Sequence, residues 1–195
     1  MKKLLILLLL LIFTADSYAQ VSGGNKMKKA VMVIAQENFR DEELFEPKEV
    51  LEKSGIEVKI ASSGLKLAKG VLGGTAEPEL LLKDISARDF DAVIFVGGAG
   101  ASEYWDDPVA HRLINDAYNS DKIVGAICIA PVTLAKAGIL KGKKATVWKS
   151  ESGQLKAAGA IYTGVNCQKD GKIITAAGPF AAKEFGEELV RAILY

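Results

Sequence analysis

The chain has 195 residues, enough to build one sizeable core, and carries 25 basic against 24 acidic side chains for a net charge of +1. No basic run interleaved with aromatics is present, so nucleic acid is excluded as an expected partner. Two cysteines, Cys128 and Cys167, make no disulfide framework, and with His111 as the single histidine they argue against a metal site of the zinc kind.

In chain order, Lys2 and Lys3 precede ten consecutive apolar residues, Leu4 to Phe13, and Ser17 and Ala19 are the small residues of a cleavage site. This pattern predicts a signal peptide over 1–19, cut after Ala19, and hence an exported, periplasmic protein. Ten apolar residues fall short of the roughly 20 that a membrane span needs, so no membrane attachment is expected after cleavage. Removal of 1–19 takes away Lys2, Lys3 and Asp16, leaving 23 basic and 23 acidic residues. Residues 20–28 read as a linker, and 29–195 as one domain.

Residues 29–36, "KAVMVIAQ", form a continuous apolar run of the kind buried on both faces of a parallel sheet. A helix pattern over 41–55 follows, with Gly55 as its stop, and then an alternating strand over 56–63. This is β-α-β, the signature of a parallel sheet. Residues 64–82 read as a small hairpin excursion. A second buried strand, "FDAVIFVGGAG" (90–100), runs into a glycine turn. A helix over 107–120, a strand over 122–127 and a helix from Cys128 to about 137 come next. Residues 144–175 read as strand-rich with a hairpin turn at "KDGK" (169–172), and a helix over 180–194 closes the domain. The fold class expected is α/β: a three-layer sandwich with a mostly parallel central sheet.

In such sheets ligands gather beyond the carboxyl ends of the strands. The apolar run in "VGAICIAP" (124–131) ends at Cys128, where a strand turns into a helix. That elbow lifts a nucleophile out of the sheet, and a helix N-terminus beside it favours the thiolate. The plain alternative is a small buried hydrophobe. Gly97, Gly98 and Gly100 let backbone N–H groups face a bound oxygen. Gly98 or Ala99, with the N–H of Ile129, could form an oxyanion hole. Cys167 reads as a strand residue near a hairpin end; its sharper reading is a resolving thiol for Cys128.

Together "GAICIAP", "FVGGAGASEYW" and "ENFRDEELFEPKEVLEKSGIEVKIAS" resemble the ThiJ/PfpI superfamily over about residues 29–194. The resemblance implies a flavodoxin-like sandwich, a reactive elbow cysteine at Cys128, an acidic partner at Glu43 and a homodimer. A carboxyl beside a thiol is useful when protonated, since it then donates a hydrogen bond to sulfur. Without the family, Glu43 would be an ordinary helix-face acid like Glu42 and Glu46.

The chain departs from the family where hydrolytic members carry a histidine after the elbow cysteine: here stands Ile129. Other members place a histidine around 146–150, where this chain has Trp148 and Lys149. His111 reads as a packing or surface residue, so a conventional cysteine protease is a poor reading. Two chemistries remain, neither calling for a cofactor. One is glyoxalase-like attack on a small reactive carbonyl, a 2-oxoaldehyde, with Glu43 moving protons. The other is a non-catalytic redox-responsive or ligand-binding protein whose Cys128 oxidises to sulfinate. A third, duller reading is a crevice filled by Ile129 and Trp148.

Overall fold

The structure, a computed structural model, describes residues 27–195. The predicted leader over 1–19, and all but the last two residues of the 20–28 linker, lie outside the described residues. Strand β1 (Lys29–Val33) leads through the short β2 (Glu37–Phe39) into helix α1 (Asp41–Lys53), followed by β3 (Glu57–Ser62). The excursion after β3 contains β4 (Ala68–Gly70), β5 (Thr75–Ala76) and β6 (Leu80–Leu81). Next come β7 (Ala92–Phe95), a 3₁₀ turn over Ala99–Tyr104, α2 (Pro108–Asn119), β8 (Ile123–Ile127) and α3 (Pro131–Lys136). The remainder is β9 (Lys144–Ala145), α4 (Ser152–Ala157), β10 (Ile161–Tyr162), β11 (Cys167–Asp170), β12 (Ile173–Ala176) and α5 (Ala182–Leu194).

Seven strands form the central sheet in the order β11-β12-β8-β7-β1-β3-β6, and only the β11–β12 pair is antiparallel. Strands β1, β7, β8 and β12 are buried almost throughout, which explains their unbroken apolar runs. One face is covered by α1 and α5 through Leu44, Leu51, Phe185 and Leu189. The other is covered by α2, α3 and α4 through Leu113, Ile114, Leu134 and Leu155. This is the expected three-layer α/β sandwich.

The 144–175 stretch carries β9, β10, β11 and the start of β12, as its strand-rich reading has it, with α4 as an addition that reading lacks. The six residues of α4 bury only Leu155, so almost no apolar period marks them. The "KDGK" turn does join β11 to β12, with Gly171 at φ 62°. Among the described residues, no helix is long and apolar enough to cross a membrane.

The order of strands reverses at β1, whose chain neighbour β3 lies on one side and β7 on the other. Three connections leave the carboxyl ends of β1, β7 and β8 around this point, carrying Glu43, the glycine turn and Cys128 respectively. A parallel sheet puts its crevice there.

Candidate functional site

Cys128 follows directly on β8 and adopts φ 62°, a left-handed conformation that costs a side-chain-bearing residue about 1 kcal/mol. Its N–H donates to the Ala176 carbonyl of β12 at 2.9 Å, and its carbonyl accepts the Trp148 N–H at 2.8 Å. The corner is thus held from both sides against its own strain. Glycine tolerates this φ freely, so Cys128→Gly should be more stable than Cys128→Ala by about 1 kcal/mol, read as the shift in urea midpoint. Equal midpoints would show that the elbow is relaxed.

Glu43, the third residue of α1, is fully buried although it carries a carboxyl. Neither of its oxygens has a well-aligned hydrogen-bond partner, while the Cys128 thiol and the Gly97 N–H lie within interaction range. Burial dominates its protonation and pushes the carboxyl up to about 8, against the opposing pull of the thiol and of Arg40. At neutral pH most of the population therefore carries the proton.

The glycine turn makes this approach possible. A Cβ on Gly97 would clash with Glu43 Oε2 and come within 2.5 Å of Cys128 Cβ and 2.7 Å of the Ile127 carbonyl. Gly98, at φ 97°, meets the backbone of 38–40, where the Arg40 N–H donates to the Gly97 carbonyl at 3.0 Å. Gly97→Ala should therefore destabilise the fold by about 1–3 kcal/mol and weaken any activity that needs the Glu43–Cys128 pair. Denaturant titration beside an activity assay reads both; a wild-type midpoint would mean the turn has room to shift.

The N–H groups of Gly98 and Ile129 face the Cys128 sulfur and favour its ionised form. They do not prevail. Burial, followed by the Glu43 charge, pushes the thiol up to about 12. Against the expected thiolate stand the burial of the sulfur and the shortness of α3, which spans six residues and begins only at Pro131.

The cavity beside Cys128 holds about 610 Å³ and is lined by Glu43, Gly98, Ala99, Ile129 and Trp148 among others. Ile129 and Trp148 thus wall the crevice and do not fill it, which corrects the third reading. Trp148 is 40% exposed, and its indole lies against Gly178, where a Cβ would come 2.7 Å from Cε3. Six lining residues went unnoticed in the sequence: Arg40, Val71, Ser102, Trp105, Ser150 and Pro179. Trp105 closes the quoted "FVGGAGASEYW", but nothing local says that its ring returns to the elbow. Its Nε1–H donates to the Ile129 carbonyl at 3.3 Å. Asp41, also unnoticed, accepts the N–H groups of Leu72 (2.8 Å) and Gly74 (2.6 Å) and so ties down the loop that brings Val71 to the cavity.

His111 stands away from the cavity lining, and its Nε2–H donates to the Trp105 carbonyl at 2.8 Å. It pairs with no cysteine. Cys128 and Cys167 are both free. Cys167 pairs with Ala176 in β12, which lies between it and β8. Two strand spacings of about 4.8 Å exceed the roughly 7 Å Cα separation that a disulfide allows. Cys167 is a strand residue. Among the described residues no three His, Cys, Asp or Glu side chains gather as a metal-binding group.

The family model described as DJ-1/PfpI family matches residues 28–192. The chain belongs to the DJ-1/PfpI family. It is 41% identical over 200 residues to the uncharacterized protein MJ0967 of Methanocaldococcus jannaschii, covering 99% of this chain and 98% of the relative. It is 28% identical over 166 residues to the glutathione-independent glyoxalase DJR-1.2 of Caenorhabditis elegans, covering 85% of this chain and 89% of that protein. The crystal structure of a ThiJ/PfpI domain protein from Brachyspira murdochii superposes with a TM-score of 0.83 at 33% identity, covering 85% of this chain and 95% of that one. The family match over residues 28–192 includes Glu43 and Cys128.

Proposed function

We propose that this DJ-1/PfpI-family protein is a glyoxalase-like enzyme that adds water to a 2-oxoaldehyde and releases the 2-hydroxy acid. Cys128 is its nucleophile and Glu43 its acid and base. The observation that carries this reading is Glu43: a fully buried carboxyl, without a well-aligned partner, set beside the elbow thiol at one wall of a cavity. A carboxyl that titrates at about 8 is matched to moving protons near neutrality. The glyoxalase relative supports the same chemistry.

The steps balance on the chain's own residues. Ionised Glu43 takes the thiol proton as sulfur bonds to the aldehyde carbon. The new oxyanion lies against the N–H groups of Gly98 and Ile129, with Ala99 beside them, and then receives that proton to give a hemithioacetal. Glu43 next removes the proton from the former aldehyde carbon and returns it to the adjacent carbonyl carbon, while the hydroxyl proton passes between the two oxygens. The product is a thioester of a 2-hydroxy acid. Water cleaves it and restores the thiol. One carbon is oxidised and its neighbour reduced, so no external oxidant or reductant enters, and no histidine is called for.

A buried carboxyl placed to move a proton beside the thiol supports this reading over oxidation of Cys128 to sulfinate. Peroxide needs a standing thiolate, which burial of the sulfur disfavours. Addition to an aldehyde needs none, because the proton leaves as the bond forms. The test is turnover of methylglyoxal followed as 2-hydroxy acid, beside intact mass after mild peroxide. Acid formation without mass gain is expected; mass gain without turnover would reverse the choice. The leader pattern of residues 1–19 supports export to the periplasm. Family members often dimerise, and a homodimer is the proposed assembly.

A further inference from the structure

Resting on the glyoxalase reading, we infer that the substrate is a neutral 2-oxoaldehyde bearing an aromatic group, as in phenylglyoxal, and that Trp105 and Trp148 select it. The chain has two tryptophans, and both line this one cavity. They arrive from separate elements. Trp105 follows the 3₁₀ turn after β7, and Trp148 follows β9. Trp105 is pinned through its Nε1–H to Ile129 and through its carbonyl to His111, with Lys136 Nζ 5.8 Å from its ring centroid. Trp148 is tilted 43° against Phe180, ring centroids 6.3 Å apart. Ordered indoles offer π faces to a flat ring at little entropic cost.

The polar side chains of the lining are already engaged elsewhere. Arg40 donates to both carboxylate oxygens of Glu42, at 2.8 and 3.0 Å, so its charge is matched. The Ser102 hydroxyl donates to the Ala99 carbonyl at 3.0 Å, and the Ser150 hydroxyl to Glu151 at 2.7 Å. Polar capacity therefore concentrates at Cys128, Glu43 and the backbone N–H groups, which take the dicarbonyl. The apolar lining, Val71, Trp105, Ile129 and Trp148, is what remains for whatever the aldehyde carries. A cavity of about 610 Å³ is far larger than a three-carbon oxoaldehyde fills.

The test separates binding from chemistry. Calorimetry on Cys128→Ala compares three neutral, unreactive analogues: 2-hydroxyacetophenone, its cyclohexyl counterpart and hydroxyacetone. The phenyl analogue should bind roughly tenfold or more tighter than hydroxyacetone and about threefold tighter than the cyclohexyl one. Adding Trp148→Ala should erase the phenyl-over-cyclohexyl margin, and adding Trp148→Phe should keep it. Equal affinity for phenyl and cyclohexyl, or for phenyl and methyl, overturns the aromatic selection even if methylglyoxal is turned over. Conversely, wild-type protein that turns over neither phenylglyoxal nor methylglyoxal ends the glyoxalase reading, while the binding series still decides what the tryptophans do.

Discussion

Cys128→Ser is expected to lower kcat/KM toward a 2-oxoaldehyde by about a thousandfold or more while leaving the fold in place. Serine differs from cysteine only by the smaller oxygen, and the strained corner is held by its backbone bonds to Ala176 and Trp148, neither of which uses the side chain. What changes is the nucleophile. A hydroxyl is a far weaker attacking group than a thiol, and the residue that would help it, a histidine at position 129, is an isoleucine here. Glu43 alone, titrating at about 8, cannot ionise a serine hydroxyl usefully. Measuring 2-hydroxy acid production with both proteins at matched concentration checks this. A variant keeping more than about a tenth of the wild-type rate would remove Cys128 from the chemistry.

The second large effect concerns Glu43→Gln. Glutamine retains the shape and can still donate to sulfur, but it cannot take a proton, so kcat should fall by about a hundredfold to ten-thousandfold. Wild-type kcat/KM should rise with pH through about 8, because the ionised carboxyl is the base. That rise should vanish in the variant. Stability moves the opposite way. The folded carboxyl titrates at about 8 and an ordinary one at 4.5, so between these values the folded state holds the extra proton. The Glu43 contribution to stability is therefore greatest below pH 4.5, falls as pH climbs to about 8, and levels beyond, with a loss of about 5 kcal/mol at most. Glutamine does not titrate, so the variant should lose less on going from pH 5 to 9 and be the more stable protein at pH 9. Urea titrations at pH 5, 7 and 9 read this directly. Parallel slopes in the two proteins would mean that Glu43 is ionised and solvated throughout.

Much of this molecule is legible along the chain. The unbroken apolar runs at 29–36 and 122–127 mark strands buried on both faces, and Gly55 and Gly138 mark helix ends, because burial and backbone freedom are local demands. The corner at Cys128 is equally visible, since an apolar run followed by small residues and Pro131 leaves the chain little choice but to turn. Glu43 is different. Its own helix gives it no mark that separates it from Glu42 and Glu46, and only the likeness to ThiJ/PfpI sequences singled it out. Helix α4 left almost no signal because one buried leucine makes no periodicity.

What the sequence alone determined is the frame: a parallel α/β sheet, a cysteine on its elbow, and no histidine beside it. The tertiary structure decided what stands beside that cysteine. Gly97, 54 residues away along the chain from Glu43, lets the carboxyl reach the thiol, and burial works against charge on either group. It also decided that both tryptophans share one cavity while Arg40 turns to Glu42. Desolvation and side-chain convergence depend on everything that packs around a group, and no stretch of sequence contains that surrounding.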